Sequence, residues 1–200
     1  MTKDSLSAYL LLITPNILLP LKRSVFRNAI QNCGNNLRGM YNVKVDNPSR
    51  IEIGENFFAA ENLYLSATEG ITIGDNVTFG PDVMLIGGNH KISVPGKLIN
   101  EQKGGDKLLP IVIEDDVWVG ARTIILSGVH VGKGSVIGAG SVVTKSIPEF
   151  WICTGVPCSP IKPRFKSLQE LERHVEHRKI NLRMDTYESY KEYYGVSEQQ

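Results

Sequence analysis

A six-residue period dominates the second half of this chain. From residue 111 the blocks run Ile-Val-Ile-Glu-Asp-Asp, Val-Trp-Val-Gly-Ala-Arg, Thr-Ile-Ile-Leu-Ser-Gly, Val-His-Val-Gly-Lys-Gly, Ser-Val-Ile-Gly-Ala-Gly and Ser-Val-Val-Thr-Lys-Ser. Aliphatic marks fall at Ile113, Val119, Ile125, Val131, Ile137 and Val143, with compact Val117, Thr123, Val129, Ser135 and Ser141 four residues after each mark. An α-helix cannot hold that register on one face, and a lone amphipathic strand ends after a few alternations. Six phased blocks therefore predict an all-β solenoid of short strands separated by turns. An earlier array follows the same logic in Ile51–Asn56, Ile71–Asn76, Val77–Asp82 and Val83–Gly88, with Ile73, Phe79 and Leu85 on the mark. Between Ile53 and Ile73, Ala59 and Leu65 are in phase before a two-residue slip.

A chain of 200 residues suits one core. Twenty-two Lys and Arg against 21 Asp and Glu leave a formal charge of +1, so no global bias draws it to nucleic acid or an anionic membrane, although a local basic patch is compatible with the balance. Three cysteines, Cys33, Cys153 and Cys158, are too few and too scattered for a disulfide scaffold or a four-cysteine zinc site. Reduced thiols, a start without signal-peptide character and no spanning stretch predict a cytoplasmic protein. The longest apolar passage, Tyr9 to Pro20, is broken by Thr14, Pro15 and Asn16, and burial against the main body is its expected role.

The expected organisation is an amino-terminal helical or capping region over 1–50, a β-helix over 51–160 with a loop at 89–110, and a carboxy-terminal helix and tail over 161–200. Val25, Phe26, Ala29 and Ile30 are expected to line one packing face near the start. Ser167 followed by Glu170 forms a capping-box pattern, and Leu168, Leu171 and Val175 give the following helix a narrow apolar stripe. The tract Tyr187–Tyr194 lacks the basic run of an RNA-binding tail, so packing or partner contact is expected of it, and no nucleic-acid partner.

The regular blocks stop at Gly87-Gly88-Asn89-His90 and resume near Pro110. Long insertions leave solenoids at corners and commonly build binding faces. His90 closes a rung, follows two glycines and opens the insertion, which singles it out from His130, His174 and His177, expected to be structural or merely exposed.

The repeat, the interruption and the exit segment Val142–Pro148 with Gly155-Val-Pro-Cys158 together resemble the left-handed parallel β-helix acetyltransferases of the hexapeptide-repeat family, in particular the galactoside, maltose and polysaccharide O-acetyltransferases. The resemblance implies three hexapeptides per triangular coil, acetyl-CoA as acyl donor with no metal, and His90 as catalytic base. A neutral imidazole near pH 7 suits that task. It further implies donor contacts at Trp118, Gly120, Ala121 and Ala139, with Gly140 beside them, and at Thr144 and Lys145 for the nucleotide end. Ser159 and Lys162 stand where relatives present arginines, and Arg164 is the candidate compensating cation.

On the acceptor side Ala60, and the passage around Ala67 and Thr68, depart from the sugar-binding pattern of galactoside enzymes. Asn62 is a surrogate contact or a repeat-turn asparagine, and Asn89 is the second candidate. The implied substrate is a sugar hydroxyl of a polysaccharide or lipopolysaccharide precursor. Xenobiotic or amino-sugar acetylation, and a noncatalytic glycan- or protein-binding scaffold, are the alternatives. The resemblance also implies a homotrimer whose clefts combine His90 of one subunit with donor contacts of a neighbour.

Overall fold

A computed structural model describes residues 19–105 and 109–196. After helix α1 (Leu19–Ala29), the chain winds through five coils of three short strands each. The first coil comprises β1 (Asn32–Cys33), β2 (Arg38–Gly39) and β3 (Lys44–Asp46), and the second β4 (Ile51–Ile53), β5 (Phe58–Ala59) and β6 (Tyr64–Ser66). β7 (Ile71–Ile73), β8 (Thr78–Phe79) and β9 (Met84–Ile86) make the third coil; β10 (Ile111–Ile113), β11 (Trp118–Val119) and β12 (Ile124–Leu126) make the fourth. The fifth holds β13 (His130–Val131), β14 (Val136–Ile137) and β15 (Val142–Val143), before a hairpin of β16 (Trp151–Gly155) and β17 (Cys158–Pro163).

Corresponding strands of successive coils pair in parallel, giving three lengthwise faces: β1-β4-β7-β10-β13, then β2-β5-β8-β11-β14 continued by the β16–β17 hairpin, then β3-β6-β9-β12-β15. This is the left-handed β-helix. The period is legible in the packing. Ile53, Ala59, Leu65, Ile73, Phe79, Leu85, Ile113, Val119, Ile125, Val131, Ile137 and Val143 are all at most 3% exposed. The compact positions point inward too, and the hydroxyls among them are satisfied: Ser135 and Ser141 donate to the carbonyls of Gly132 and Gly138 at 2.7 and 2.6 Å. A buried hydroxyl without such a partner would be costly.

The two-residue slip has a physical origin. Register advances 20 residues from Ile51 to Ile71 but 18 from Val112 to His130, because the corner after the third face is longer in the early coils. The ladder also begins sooner than the sequence marks suggest. Residues 32–46 pair with the second coil in register, with Cys33, Gly39 and Val45 opposite Ile53, Ala59 and Leu65, although only Val45 of the three is aliphatic.

The corners are built on left-handed residues. Asn36, Asn56, Asn76 and Asp116 stack at the first corner, between the first and second faces, and Asn42, Asn62, Asp82 and Arg122 at the second, all with φ between 53° and 58° except Asn62 at 60°. Asn tolerates this region because its short amide bonds locally. Here the amides bond along the stack: Asn36 Nδ2 donates to Asn56 Oδ1 at 2.8 Å and Asn56 Nδ2 to Asn76 Oδ1 at 3.1 Å.

Two carboxy-terminal helices, not one, close the structure. Ser167 caps α2 (Leu168–Arg178) by accepting from the Glu170 N–H at 3.2 Å, and α3 (Met184–Tyr194) packs beside it. Tyr190 is fully buried with Phe150, Leu168 and Leu171, and its hydroxyl donates to the Phe150 carbonyl at 2.5 Å. At least part of the tyrosine tract is therefore packing surface. At the other end, the expected face of α1 is only partly inward. Ile30, just past the helix, is buried and Phe26 packs on the core, but Val25 is 61% exposed. The Tyr9–Leu18 part of the early apolar passage lies outside the described residues.

Candidate active site

His90 sits at the third corner, where the chain leaves β9. The approach is crowded: Gly88 adopts φ 86°, and a Cβ on Gly87 would lie 2.5 Å from the Ser66 carbonyl oxygen of the coil below. A Cβ on Gly88 would meet the Thr68 side chain at 3.0–3.1 Å, so Thr68 lies directly beneath the loop's take-off. Both Asn89 and His90 are exposed, and the His90 main-chain N–H donates to Asn89 Oδ1 at 2.8 Å. Asn89 thereby shapes the turn that presents the imidazole.

The loop is organised by a residue that no motif singles out. Gln102 is 8% exposed; its Oε1 accepts from the Val94 N–H at 3.1 Å and its Nε2 donates to the carbonyls of Lys97 and Leu98 at 3.3 and 3.5 Å. The Lys91 N–H donates to the Gly104 carbonyl at 3.0 Å, holding the stem together. Leu98 and Ile99 at the tip are 67% and 57% exposed.

The donor-side candidates separate into two columns. Gly120 and Ala121 stack on Ala139 and Gly140 at the second corner: Gly120 N–H donates to Ile137 O and Gly140 N–H to Ala121 O, each at 2.8 Å. Nothing lies within 4 Å of a Cβ placed on Gly140, so this column of small residues has an open outer side. Trp118, 55% exposed on the adjoining face, lies in register between Thr78 and Val136. Thr144 and Lys145 instead follow β15 at the third corner, the column from which the His90 loop departs, and both are exposed. Within one chain, His90 and the Gly120–Ala139 column stand at opposite ends of the third-face strands.

Two expected contacts are put to other uses. Arg164 Nη1 lies 2.7 Å from Asp116 Oδ2 and donates to the Gly134 carbonyl at 2.9 Å, at the first corner and away from the small-residue column. Lys162, on β17, is exposed. Asn62 has both amide ends engaged, its Oδ1 accepting from Asn42 Nδ2 at 2.7 Å and its Nδ2 donating to Asp82 Oδ1 at 2.8 Å. The repeat-turn reading of Asn62 accounts for its geometry.

The thiols and two of the other three imidazoles are committed to structure. Burial pushes the Cys153 thiol up to about 12, helped by Cys158 nearby, and burial also raises Cys158 and Cys33, partly offset by hydrogen bonds from Ser141 and Arg27. Protonated thiols are poor nucleophiles. His130 Nε2 pairs with Glu114 Oε1 at 2.7 Å. His174 packs against Phe150 and Phe165, at ring separations of 5.7 and 4.9 Å, where burial lowers its pKa; His177 is exposed on α2. Among the described residues no group of three or more His, Cys, Asp or Glu is placed to hold a metal ion.

The outer faces differ in character. From the second coil onward, in-register rows on the second face read Phe58, Thr78, Trp118, Val136 and Ile152, and on the third Tyr64, Met84, Ile124 and Val142, with Arg38 and Lys44 at their first-coil ends. The first face presents Glu52, Thr72, Val112 and His130. Two apolar faces thus adjoin along the second corner, and the polar one lies opposite.

Comparison with known proteins agrees with this architecture. Residues 110–145 match the family model described as the hexapeptide repeat of succinyl-transferase. The Escherichia coli galactoside O-acetyltransferase is 43% identical over 117 residues, 57% of this chain and 54% of the relative, so the chain spans about half of that protein's length. A galactoside acetyltransferase solved in complex with coenzyme A superposes with TM-score 0.66 at 34% identity, covering 74% of this chain and 72% of that one. A maltose O-acetyltransferase from Clostridium difficile superposes with TM-score 0.64 at 34% identity, covering 72% and 75%. With that repeat, that fold and that breadth of similarity, the chain belongs to the hexapeptide-repeat acetyltransferases.

Proposed function

We propose that this protein transfers an acetyl group from acetyl-CoA to a hydroxyl of a sugar or glycan precursor. The observation that carries the reading is the exposed His90 at the take-off of the third-corner loop, in a solenoid similar to a solved maltose O-acetyltransferase and to a solved galactoside acetyltransferase holding coenzyme A. His90 accepts the proton of the acceptor hydroxyl as its oxygen attacks the thioester carbonyl. A tetrahedral oxyanion forms and collapses, the C–S bond breaks as the new ester C–O bond remains, and the imidazolium returns its proton to the departing sulfur. No covalent acetyl-enzyme is needed.

The donor's fit rests on chemistry present in the chain. The open column of Gly120, Ala121, Ala139 and Gly140 gives a narrow arm access to backbone amides, and the exposed Trp118 indole offers it a flat wall. Lys145 and Lys162 are exposed cations suited to phosphate oxygens, with Thr144 beside Lys145. Arg164 is assigned to the fold. Asn89 sets the His90 turn and borders the acceptor.

A homotrimer completes the site. His90 and the small-residue column are separated within one chain, and the apolar second and third faces offer surfaces through which neighbours bring them together. Heterologous contacts between unlike faces close into a ring when the rotation they impose closes, as a three-fold does. Among the described residues no helix is long and apolar enough to cross a membrane, and we assign the protein to the cytoplasm, where acetyl-CoA is made.

Free thiol release from acetyl-CoA, followed against sugars, nucleotide sugars and hydroxylated xenobiotics, tests the reading. Release that depends on a sugar acceptor is expected. Donor binding without release for any acceptor would favour the noncatalytic scaffold, and release only with amines would replace the hydroxyl acceptor.

A further inference from the structure

The insertion that opens at His90 carries four lysines, Lys91, Lys97, Lys103 and Lys107, against Glu101 and Asp106, in a chain whose whole charge balance is only +1. Three of the four converge. Lys91, Lys97 and Lys103 line one cavity of about 350 Å³ within the loop, together with Val94, Glu101 and Gln102. Lys97 and Lys103 are exposed, and Lys91 is half-buried.

The loop's other polar groups are spent on its own frame. Gln102 bonds the Val94 N–H and the carbonyls of Lys97 and Leu98, and the Lys91 N–H bonds the Gly104 carbonyl. The one acid on the cavity lining, Glu101, accepts from the Leu98 N–H at 3.0 Å. None of the three ammonium groups takes part in an ion pair among the described residues. Like charges gathered on one wall repel, so the fold gains nothing by converging them. An anion in the cavity turns that repulsion into attraction.

The cavity adjoins the proposed base. Lys91 follows His90 directly, and consecutive Cα atoms stand about 3.8 Å apart, so a sugar whose hydroxyl meets the imidazole brings an attached phosphate to the lysine wall. A single carboxylate calls for one cation. Three lysines suit the multiple charge of phosphate, which lysine meets as a point charge from a flexible stem.

We propose that this lysine-lined cavity binds the phosphate of a phosphorylated acceptor, a sugar phosphate or a nucleoside-diphosphate sugar, and thereby selects it over the neutral sugar. The site serves the acyl-transfer reading and rests on it, adding the acceptor class that His90 alone does not specify.

The test compares kcat/KM of the full chain for free hexoses and hexosamines, their 1-phosphates and their uridine-diphosphate forms, at low and high salt, with binding of the same compounds measured by calorimetry. Phosphorylated acceptors are expected to exceed the neutral ones by roughly tenfold or more, with the gap narrowing at high salt. Activity with the 1-phosphates shows that one phosphate suffices, and activity only with the uridine-diphosphate forms assigns the cavity to a diphosphate. Lys97→Gln/Lys103→Gln should raise the KM of the phosphorylated acceptor roughly tenfold and leave the KM for acetyl-CoA unchanged. Its melting temperature and oligomeric mass should match the wild type, since both side chains are exposed. Equal kcat/KM for free and phosphorylated sugars overturns the proposal and leaves acyl transfer standing. A rise in the acetyl-CoA KM of the double variant overturns it too, by assigning the lysines to the donor. Absence of turnover with every acceptor counts against the acyl-transfer reading, and calorimetry then decides the cavity: binding of a phosphorylated sugar that weakens in the double variant supports it, and no binding overturns it.

Discussion

Arg164 and Asp116 are 48 positions apart in sequence, and their side chains meet at 2.7 Å. The contact ties the segment after the exit hairpin to the first corner of the fourth coil; the same guanidinium donates to the Gly134 carbonyl at the first corner of the fifth and stands 5.3 Å from the Phe165 ring. Replacing Arg164 with Gln should therefore cost stability, by about 1–2 kcal/mol given the part-exposed pair. Coenzyme A affinity should not change. Urea denaturation and equilibrium binding separate the two effects; weakened binding at full stability would return Arg164 to the phosphate site.

The small-residue column makes a paired prediction. A Cβ on Gly120 would fall 2.6 Å from Ala139 N and 2.8 Å from Ile137 O, so Gly120→Ala forces adjacent coils apart and should destabilise by about 1–3 kcal/mol. Gly140→Ala meets no neighbour and is penalised only for φ 72°, about 1–2 kcal/mol. Its methyl projects into the proposed donor groove, so the KM for acetyl-CoA should rise while the fold survives. Steady-state kinetics on the two folded variants checks this.

Asn62 is predicted to matter to the corner, not to the acceptor. Asn62→Gly keeps the left-handed turn at φ 60° and removes two exposed side-chain hydrogen bonds, for a loss of about 1 kcal/mol or less. The acceptor KM should be unaffected. A raised acceptor KM with the donor KM unchanged would restore Asn62 as a sugar contact.

Alkaline pH should unfold the protein through its buried acids. Cys153 is raised from 9.0 to about 12 and Tyr190 from 10.0 to about 12, mainly by burial, so both are protonated in the fold and ionise more readily once unfolded. The folded state then binds more protons, and stability falls as pH rises from about 9 towards 12. Cys153→Ala should flatten that slope, whatever it costs at neutral pH. Denaturation midpoints across this range measure it; an unchanged slope would remove Cys153 as a contributor.

What the sequence disclosed was whatever repeats. Each aliphatic mark from Ile53 to Val143 requires the same inward pocket, so the period carries the solenoid directly, and the break at Gly87–His90 exposes the loop by contrast. The first coil escaped because its inward positions are Cys33, Gly39 and Val45, only one of them aliphatic, near the end of the stack where side-chain demands relax. Arg164 and Asn62 were legible as residue types but not as uses. An arginine beside a motif reads as a phosphate ligand until Asp116 is seen to claim it, and the stacking of Asn62 between Asn42 and Asp82 is visible only once the 20-residue coil is known. Gln102 left no mark at all, since one glutamine in a loop has no periodic partner to betray it.

The central claim is that His90 is the base for acyl transfer, and the most direct measurement is acceptor-dependent release of free coenzyme A by wild type and His90→Ala, with oligomeric mass and donor binding measured on both. The account predicts that the variant keeps its assembly and binds acetyl-CoA normally, while kcat falls by about 10²–10⁴. Undiminished turnover in a folded, donor-binding His90→Ala protein would contradict it.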